Sequence, residues 1–201
     1  GADTIVAGAG ADIIASGAGG GTITGGAGND AITVGSGTDT LAIAYGGEGI
    51  DTITSFAAGT DIIDFTGTRD VNDANGIGID VDGFLLFSNT DDHAIIDGLT
   101  VFAGSSTVAI DAGDYLTAAE IATFLGDLDG SSGGTDNHTV TVAGATDVAY
   151  VLVEGAAGNS TLAQVTGSTD TTIDATDVTI IAHFASAESE DFTNASFADF
   201  A

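Results

Sequence analysis

Four consecutive nine-residue segments decide the fold: AGAGADIIA (7–15), SGAGGGTIT (16–24), GGAGNDAIT (25–33) and VGSGTDTLA (34–42). They follow the pattern Gly-Gly-x-Gly-x-Asp-x-apolar-x. A partial unit (1–6) precedes them, and GGEGIDTIT (46–54) and a more degenerate unit, FAAGTDIID (56–64), follow after short insertions. Repetition at a fixed period indicates stacked structural units, each of which buries its apolar side chain against its neighbours.

Two positions of the repeat carry most of the information. The eighth position is apolar in every unit: Ile5, Ile14, Ile23, Ile32, Leu41, Ile53 and Ile63. The sixth position is aspartate in every unit but one: Asp3, Asp12, Asp30, Asp39, Asp51 and Asp61, with Gly21 as the exception. A disordered linker rich in Gly and Asp would not place an apolar residue so regularly, so we favour a folded repeat.

The residue types predict the geometry of each unit. Glycines allow a tight, partly left-handed turn with exposed carbonyl oxygens, and the aspartate adds a carboxylate at the same point. Oxygen ligands of this kind suit Ca²⁺. We therefore predict a right-handed parallel β-roll in which successive units alternate between two faces and calcium lies between turns n and n+2. The predicted ligand turns contain, besides the aspartates, the glycines Gly8, Gly10, Gly26, Gly28, Gly35, Gly37, Gly47 and Gly49.

The alternation sorts the sixth positions into two stacks. The first stack contains Asp12, Asp30 and Asp51. The second stack contains Asp3, Gly21, Asp39 and Asp61. Because Gly21 has no carboxylate, the second stack is expected to bind calcium less well at that turn.

Residues 1–65 resemble the RTX (repeats-in-toxin) family of type I secreted proteins, and ITSFAAGTDIIDFTG (53–67) resembles the usual end of that family's roll. The resemblance implies Ca²⁺ as the ligand and a secreted protein, extracellular or at the cell surface. The composition also resembles that of RTX-bearing surface-layer proteins. The first unit begins at its fourth position, Gly1, so we expect the natural chain to extend further upstream.

The charge excludes several classes of partner. Thirty acidic residues stand against one basic residue, Arg69, for a net charge of −29, and only five of the acidic residues are Glu. Self-repulsion of this size destabilises a compact state unless cations bind or the chain comes from a salty medium. One arginine cannot neutralise a run of phosphates or an anionic lipid surface, which excludes nucleic acid and membranes.

No apolar run reaches the roughly 18 residues of a membrane span. With no Cys, the chain has no disulfides.

From about residue 67 the repeat pattern is lost, and short apolar runs between Asp, Asn and Gly predict strands. We expect an all-β protein with a calcium-binding roll over 1–66 and an antiparallel, sandwich-like domain over 67–201. The predicted strands cover 83–88, 93–103, 106–112 and the runs HTVTVAG, DVAYVLVEG, STLAQVTG and DVTIIAHFA. One short helix is predicted from Thr117 to Leu125, because Thr117 and Glu120 form a capping box and Gly126 follows.

Other candidate sites outside the repeats are weaker. The segments Asp127-Leu-Asp129-Gly130 and Asp170 to Asp177 offer oxygen ligands, but neither completes a twelve-residue calcium loop, so turn and capping roles are preferred. The histidines His93, His138 and His183 form no His-Glu-x-x-His motif, and His183 is interpreted as a satisfied strand residue. No nucleophile elbow is predicted, because the one match to Gly-x-Ser-x-Gly, GSSGG (130–134), lies in a predicted polar loop and not at a strand-to-helix turn. We therefore predict that it is not an enzyme.

The last stretch, ESEDFTNASFADFA (188–201), is similar to the uncleaved C-terminal secretion signals of type I exported proteins, with an ordinary edge strand and tail as the alternative. Two functional hypotheses follow. The first is a structural subunit that self-associates into a surface layer or extracellular filament, with further copies of itself and a cell-surface polysaccharide as partners. The alternative is the C-terminal calcium-binding and secretion module of a larger RTX enzyme, toxin or adhesin.

Overall fold

The computed structural model describes residues 1–44, 48–66, 84–88, 99–103, 115–128, 148–155, 158–166, 173–187, 192 and 196–198. These residues form twelve β-strands and one short helix, so the described structure is dominated by strands. The strands predicted at 106–112 and 138–144 lie outside the described residues.

The repeats form seven strands: β1 (Thr4–Ala9), β2 (Ile13–Ala15), β3 (Thr22–Ala27), β4 (Ala31–Thr33), β5 (Thr40–Ala44), β6 (Asp51–Thr54) and β7 (Ile62–Thr66). The odd-numbered strands make a four-stranded sheet in the order β1-β3-β5-β7, and β2, β4 and β6 lie side by side in a second sheet. All of these neighbours are parallel. Successive repeats therefore lie in alternate sheets, as the nine-residue period predicts.

The eighth position of each repeat points into the space between the two sheets. The strand register aligns Ile23 with Leu41 in one sheet and Ile32 with Ile53 in the other. All seven eighth-position residues belong to one apolar cluster, and every one except Ile5 is buried. Burying an aliphatic side chain of this size stabilises the fold by roughly 1.5–3 kcal/mol. The eighth-position residues therefore form a continuous row within a core that also contains other apolar residues of the repeats, such as Val34, Ile43 and Phe65.

The remaining elements are β8 (Phe84–Ser88), β9 (Leu99–Ala103), the helix α1 (Ala118–Leu128), β10 (Val148–Glu154), β11 (Ser160–Thr166) and β12 (Val178–Ala185). They extend the second repeat sheet into eight strands in the order β2-β4-β6-β12-β11-β10-β9-β8. Strand β12 joins β6 in parallel, and β10, β11 and β12 are antiparallel.

The prediction that the strands at 83–88 and 93–103 are antiparallel was wrong. Strand β9 is parallel to β8 on one side and to β10 on the other. Alternation of apolar and polar residues indicates which face of a strand is buried, but it carries no information on the direction of the neighbouring strand. The long segment between β9 and β10, which includes α1, provides the crossover that a parallel pair requires.

The predicted capping box is present at the start of α1. The Thr117 amide donates to Glu120 Oε2 at 2.8 Å, and the Glu120 amide donates to Thr117 Oγ1 at 3.3 Å. The helix does not end at Gly126 as predicted but continues to Leu128. Glycine inside a helix costs only about 1 kcal/mol relative to alanine, so its presence alone does not end the helix.

The eight-stranded sheet has a core on each face. On one face α1 packs through Ile121 and Leu125 against side chains of β10, β11 and β12. On the other face, residues such as Leu162 and Phe184 join the apolar cluster of the repeats. The sheet and this core thus both cross the boundary at residues 66/67, and the division into two domains there stays a prediction.

Candidate calcium sites

The three aspartates of the first stack lie over one another and are linked by hydrogen bonds. The Asp12 amide donates to Asp30 Oδ1 at 2.8 Å, and the Asp30 amide donates to Asp51 Oδ1 at 3.0 Å. Each link joins residues on alternate turns, which agrees with the predicted n and n+2 stacking. One carboxylate oxygen of Asp30 and of Asp51 therefore holds the preceding turn of the stack in place.

The second stack is irregular. The Asp39 amide donates to Asp61 Oδ1 at 3.0 Å, and the Ala57 amide donates to Asp61 Oδ2 at 2.8 Å, so both oxygens of Asp61 accept backbone hydrogen bonds. Between Asp3 and Asp39 the stack contains Gly21, where a Cβ would lie 2.5 Å from the Asp3 carbonyl oxygen. The turns approach too closely at Gly21 for a side chain to fit without a shift.

Four buried carboxylate oxygens among the described residues have no hydrogen-bond partner: Asp12 Oδ2, Asp30 Oδ2 and both oxygens of Asp39. Asp30 and Asp39 are only 2% and 1% exposed. Burying a carboxylate without a partner is strongly unfavourable, so such a group is protonated, paired or bound to a cation. These oxygens, at the predicted ligand positions, fit a bound cation.

The predicted glycine positions form the turns that carry the carbonyl oxygens. Positive φ angles occur at Gly8, Gly10, Gly26, Gly28, Gly37 and Gly49. Gly35 lacks a positive φ, but a Cβ there would meet the Gly17 carbonyl oxygen of the turn beneath it. A Cβ at Gly26 would likewise meet the Gly8 carbonyl oxygen. The carbonyl oxygens therefore face the next turn of the stack. Gly47 lies outside the described residues.

The ligand atoms available in the turns indicate which metal ion would fit between them. Within the described part of the chain, no group of three or more His, Cys, Asp or Glu residues could hold a metal by side chains alone. A cation between two turns would instead be held by the aspartate carboxylates and the carbonyl oxygens of the glycine turns. An all-oxygen set of carboxylates and backbone carbonyls suits Ca²⁺, whereas structural Zn²⁺ sites are built mainly from Cys and His.

The surroundings of Asp51 in the first stack raise its pKa to about 6. Burial raises the pKa most, the hydrogen bond from the Asp30 amide lowers it, and the negative charges of Asp30 and Glu48 also raise it. Without a cation, the Asp51 carboxyl therefore takes up a proton more readily than an exposed aspartate does. A bound cation would favour the carboxylate, because an opposite charge nearby stabilises the ionised form.

Sequence reasoning missed three residues that shape these turns. Glu48 adds negative charge beside Asp51. Asn29 Oδ1 accepts the Ile50 amide at 3.0 Å, and Ser16 Oγ accepts the Gly35 amide at 2.7 Å. All three stand at positions where the nonapeptide pattern differs from unit to unit. The only signal in the sequence was a polar side chain at a variable position.

The aspartates before β12 make a turn. Asp174 Oδ1 accepts the Thr176 amide at 2.7 Å and the Thr176 hydroxyl at 2.6 Å, and Asp177 Oδ2 accepts the Asp174 amide at 2.9 Å. The hydrogen bonds from Thr176 lower the pKa of Asp174, which is fully exposed. This arrangement agrees with the preferred turn role. Of the other acidic segment, Asp127 lies within α1, and Asp129 and Gly130 are outside the described residues.

His183, on β12, is half-buried and has partners. Its Nδ1 lies 3.1 Å from Thr161 Oγ1, and its ring stacks on Tyr115 with centroids 4.5 Å apart. Burial lowers the pKa of His183, which favours the neutral ring. The arrangement agrees with its interpretation as a satisfied strand residue. His93 and His138 lie outside the described residues.

Comparison with known families agrees with the geometry of the repeats. Residues 1–23 and 22–41 match the family model of the RTX calcium-binding nonapeptide repeat in four copies. No significant match was found among curated proteins or among solved structures. The match supports the RTX family for this segment and Ca²⁺ as its ligand, since these repeats are calcium-binding.

Two further findings bear on location. RTX repeats are typical of secreted proteins. Among the described residues, no helix is long and apolar enough to cross a membrane. The fold and the repeats together therefore define the chain as a strand-dominated calcium-binding protein with RTX nonapeptide repeats.

Proposed function

We propose that the chain is a secreted, non-catalytic structural protein whose repeats fold as a β-roll on binding Ca²⁺ and whose copies then assemble into a surface layer or extracellular filament. The observation that carries the calcium part is the set of four buried carboxylate oxygens without partners on Asp12, Asp30 and Asp39. Bound calcium would supply coordination and positive charge to these oxygens. Its role is that of a folding ligand.

The mechanism follows from the cost of burying charge. Where free Ca²⁺ is scarce, folding would bury the unpaired carboxylates of both stacks, at a penalty of several kcal/mol per ion. The chain then stays extended, in a form that can pass through a secretion channel. Extracellular calcium modules need affinities of only about 10⁻⁴–10⁻³ M, and binding free energy becomes folding free energy when the site forms with the fold.

Self-association is supported by the outer surface of the repeats. Thr4, Thr22 and Thr40 form one aligned row on the four-stranded sheet. Two large apolar side chains are exposed on β1 and β2, Val6 at 69% and Ile13 at 93%. At a net charge of −29, contact between copies requires bridging cations.

The second candidate is the calcium-binding and secretion module of a larger RTX enzyme, toxin or adhesin. It is favoured by the shared core, because Phe184 of β12 packs on Phe56 of the last repeat with ring centroids 5.3 Å apart. A chain whose two regions support each other can serve as a self-contained module at the end of another protein.

Particle size and shape in millimolar Ca²⁺ and after chelation, measured by light scattering and negative-stain microscopy, separate the candidates. Ordered polymers that dissolve into unfolded monomers on chelation would support the structural role. Folded monomers at every protein concentration would support the module. A chain equally folded in chelator would contradict calcium-driven folding altogether.

Asp30→Asn provides the matched variant. It preserves the shape of the side chain but removes the charge from the centre of the first stack. Its calcium midpoint for folding, followed by circular dichroism, is expected to rise about tenfold, since ligand charge sets the affinity of calcium sites. The control Asp174→Asn changes an exposed turn carboxylate and is expected to leave the midpoint unchanged. Mg²⁺ at the same concentration should not replace Ca²⁺, because it demands tighter octahedral geometry.

A further inference from the structure

Strand β12 takes the place that the next repeat would occupy in the second sheet. It pairs in parallel with β6 and places Phe184 opposite Ile53, just as β6 pairs in parallel with β4 and places Ile53 opposite Ile32. Phe184 is fully buried and belongs to the same apolar cluster as the eighth-position residues. It therefore extends their row by one member, although β12 has none of the repeat pattern in its sequence.

The turn after β12 also resembles the turn after β6. Among the described non-glycine residues, positive φ angles occur at Ser55, with 61°, and Ser186, with 54°. Each serine directly follows the last residue of the paired strands, Thr54 in β6 and Ala185 in β12. This conformation is uncommon outside glycine, so its occurrence at equivalent places on neighbouring strands indicates a shared turn geometry.

At the ligand position, β12 departs from the repeats. Ala182 lies opposite Asp51 and is fully buried. Within the first stack, the carboxylate of each later turn receives the amide of the turn before it, but Ala182 has no carboxylate with which to receive the Asp51 amide. The first stack therefore ends at Asp51, and β12 continues the sheet without a ligand.

The folding of β12 depends on the repeats, because its partner strand β6 belongs to them. Strands β6 and β12 are far apart in sequence, so bringing them together carries a loop-closure cost that is offset only when a formed edge is available. That edge belongs to repeats with buried, unpartnered carboxylates. Phe184 also takes part of its packing from the repeats, because its ring packs against Phe56 as well as against Phe192.

We propose that β12 is a ligand-free repeat equivalent: it ends the first stack at Asp51 and pairs with β6 only when the repeats have bound calcium. The sheet of β10, β11 and β12 then folds in the same calcium-dependent step as the repeats. This inference rests on the proposed calcium-driven folding. The competing arrangement is a C-terminal sheet that folds without calcium and offers β12 as a preformed edge to the repeats.

Hydrogen exchange of the full chain, read by mass spectrometry across a calcium titration, tests the proposal. We expect the amides of β4 and β6 and those of β11 and β12 to gain protection at the same calcium concentration. Protection of β11 and β12 in chelator, while the repeats still exchange freely, would overturn the inference and leave the proposed function intact. Protection of the repeats themselves in chelator would contradict the proposed function.

Two variants far from β12 sharpen the test. Asp12→Asn changes the end of the first stack away from β12, and Asp39→Asn changes the second stack. Either is expected to raise the calcium midpoint for protection of β11 and β12 by about tenfold, in step with the repeats. A shift confined to the repeats would overturn the coupling. Since the two sites lie in different stacks, one variant remains informative if the other fails to fold.

The matched control for these variants is Asp174→Asn, in the turn before β12. The asparagine side-chain oxygen can still accept the hydrogen bonds from Thr176. In this control, neither the calcium midpoint for protection of the repeats nor that for protection of β11 and β12 is expected to move. A midpoint that moved for β12 alone would place the calcium-dependent element in the C-terminal turn and contradict control by the repeats.

Discussion

The two stacks use the same residue type in different ways. In the first stack, the two carboxylate oxygens of Asp30 have different environments. Oδ1 accepts a hydrogen bond from the Asp12 amide, and Oδ2 has no hydrogen-bond partner. In the second stack, two different residues show these two environments. Both carboxylate oxygens of Asp61 accept backbone hydrogen bonds, whereas neither oxygen of Asp39 has a hydrogen-bond partner. The comparison teaches that a sixth-position aspartate can brace backbone amides or leave its carboxylate oxygens without hydrogen bonds, as the proposed calcium ligation requires.

The largest expected effect comes from exchanging Asp61, which braces two turns, for asparagine. In Asp61→Asn, the single side-chain carbonyl oxygen cannot replace both carboxylate oxygens, so either the Asp39 or the Ala57 amide loses its acceptor. We expect a loss of about 1–3 kcal/mol in the free energy of unfolding. Urea unfolding in saturating calcium measures it.

The control is Asp39→Asn in the same stack. No hydrogen bond to the Asp39 carboxylate is lost, so the defect should lie in calcium affinity, and excess calcium should restore stability. Rescue of Asp61→Asn by excess calcium, to the same degree as Asp39→Asn, would break the division of roles between the two residues.

The next effect concerns the interruption of the second stack. By the repeat pattern, Gly21→Asp should restore a ligand and lower the calcium midpoint. We expect the opposite, because a Cβ at Gly21 would lie 2.5 Å from the Asp3 carbonyl oxygen, and overpacking of this kind costs about 1–3 kcal/mol. Calcium titrations of Gly21→Asp and Gly21→Ala, followed by circular dichroism, separate the added charge from the added bulk.

Only a raised midpoint in both Gly21 variants agrees with the close approach seen here. A lower midpoint in Gly21→Asp than in the parent chain would show that the turn opens to admit a ligand. The interruption at Gly21 would then reflect only the missing carboxylate and not a lack of space for a side chain.

The smallest expected effect lies outside both stacks, at His183. Burial lowers the pKa of His183 below its usual 6.5, so on acidification the unfolded chain takes up the proton first. Stability is therefore expected to fall as the pH drops below about 6.5, with calcium held saturating. His183→Gln should remove this part of the pH dependence, measured by urea unfolding between pH 5 and 7.5. An identical pH profile in parent and variant would show that the imidazole does not contribute.

Much of the repeat region could be predicted from sequence because each turn repeats the same local requirement. The glycines permit the turn, the apolar eighth residue faces the core, and a fixed period sends alternate units to alternate sheets. The start of α1 was predictable for the same reason, since the capping box of Thr117 and Glu120 is a contact within one turn of helix.

What the sequence could not show are pairings between segments far apart in the chain. The parallel direction of β8 and β9 depends on crossovers that strand patterns do not encode. The different use of Asp39 and Asp61 depends on which backbone amides the neighbouring turns bring within reach. Likewise, no feature of VTIIAHFA (178–185) marks it as the strand that follows β6.

By itself, the sequence determined the calcium-binding class of the protein and the two-sheet alternation of the repeats, and it predicted the positions of their ligands, because all three follow from a nine-residue period. Only the tertiary structure decided where the first stack ends and how the repeats join the remaining strands. Both depend on long-range packing, in which Ala182 and Phe184 occupy places that a repeat would otherwise fill. Local residue preferences leave such a replacement open, and the burial of one common core selects it.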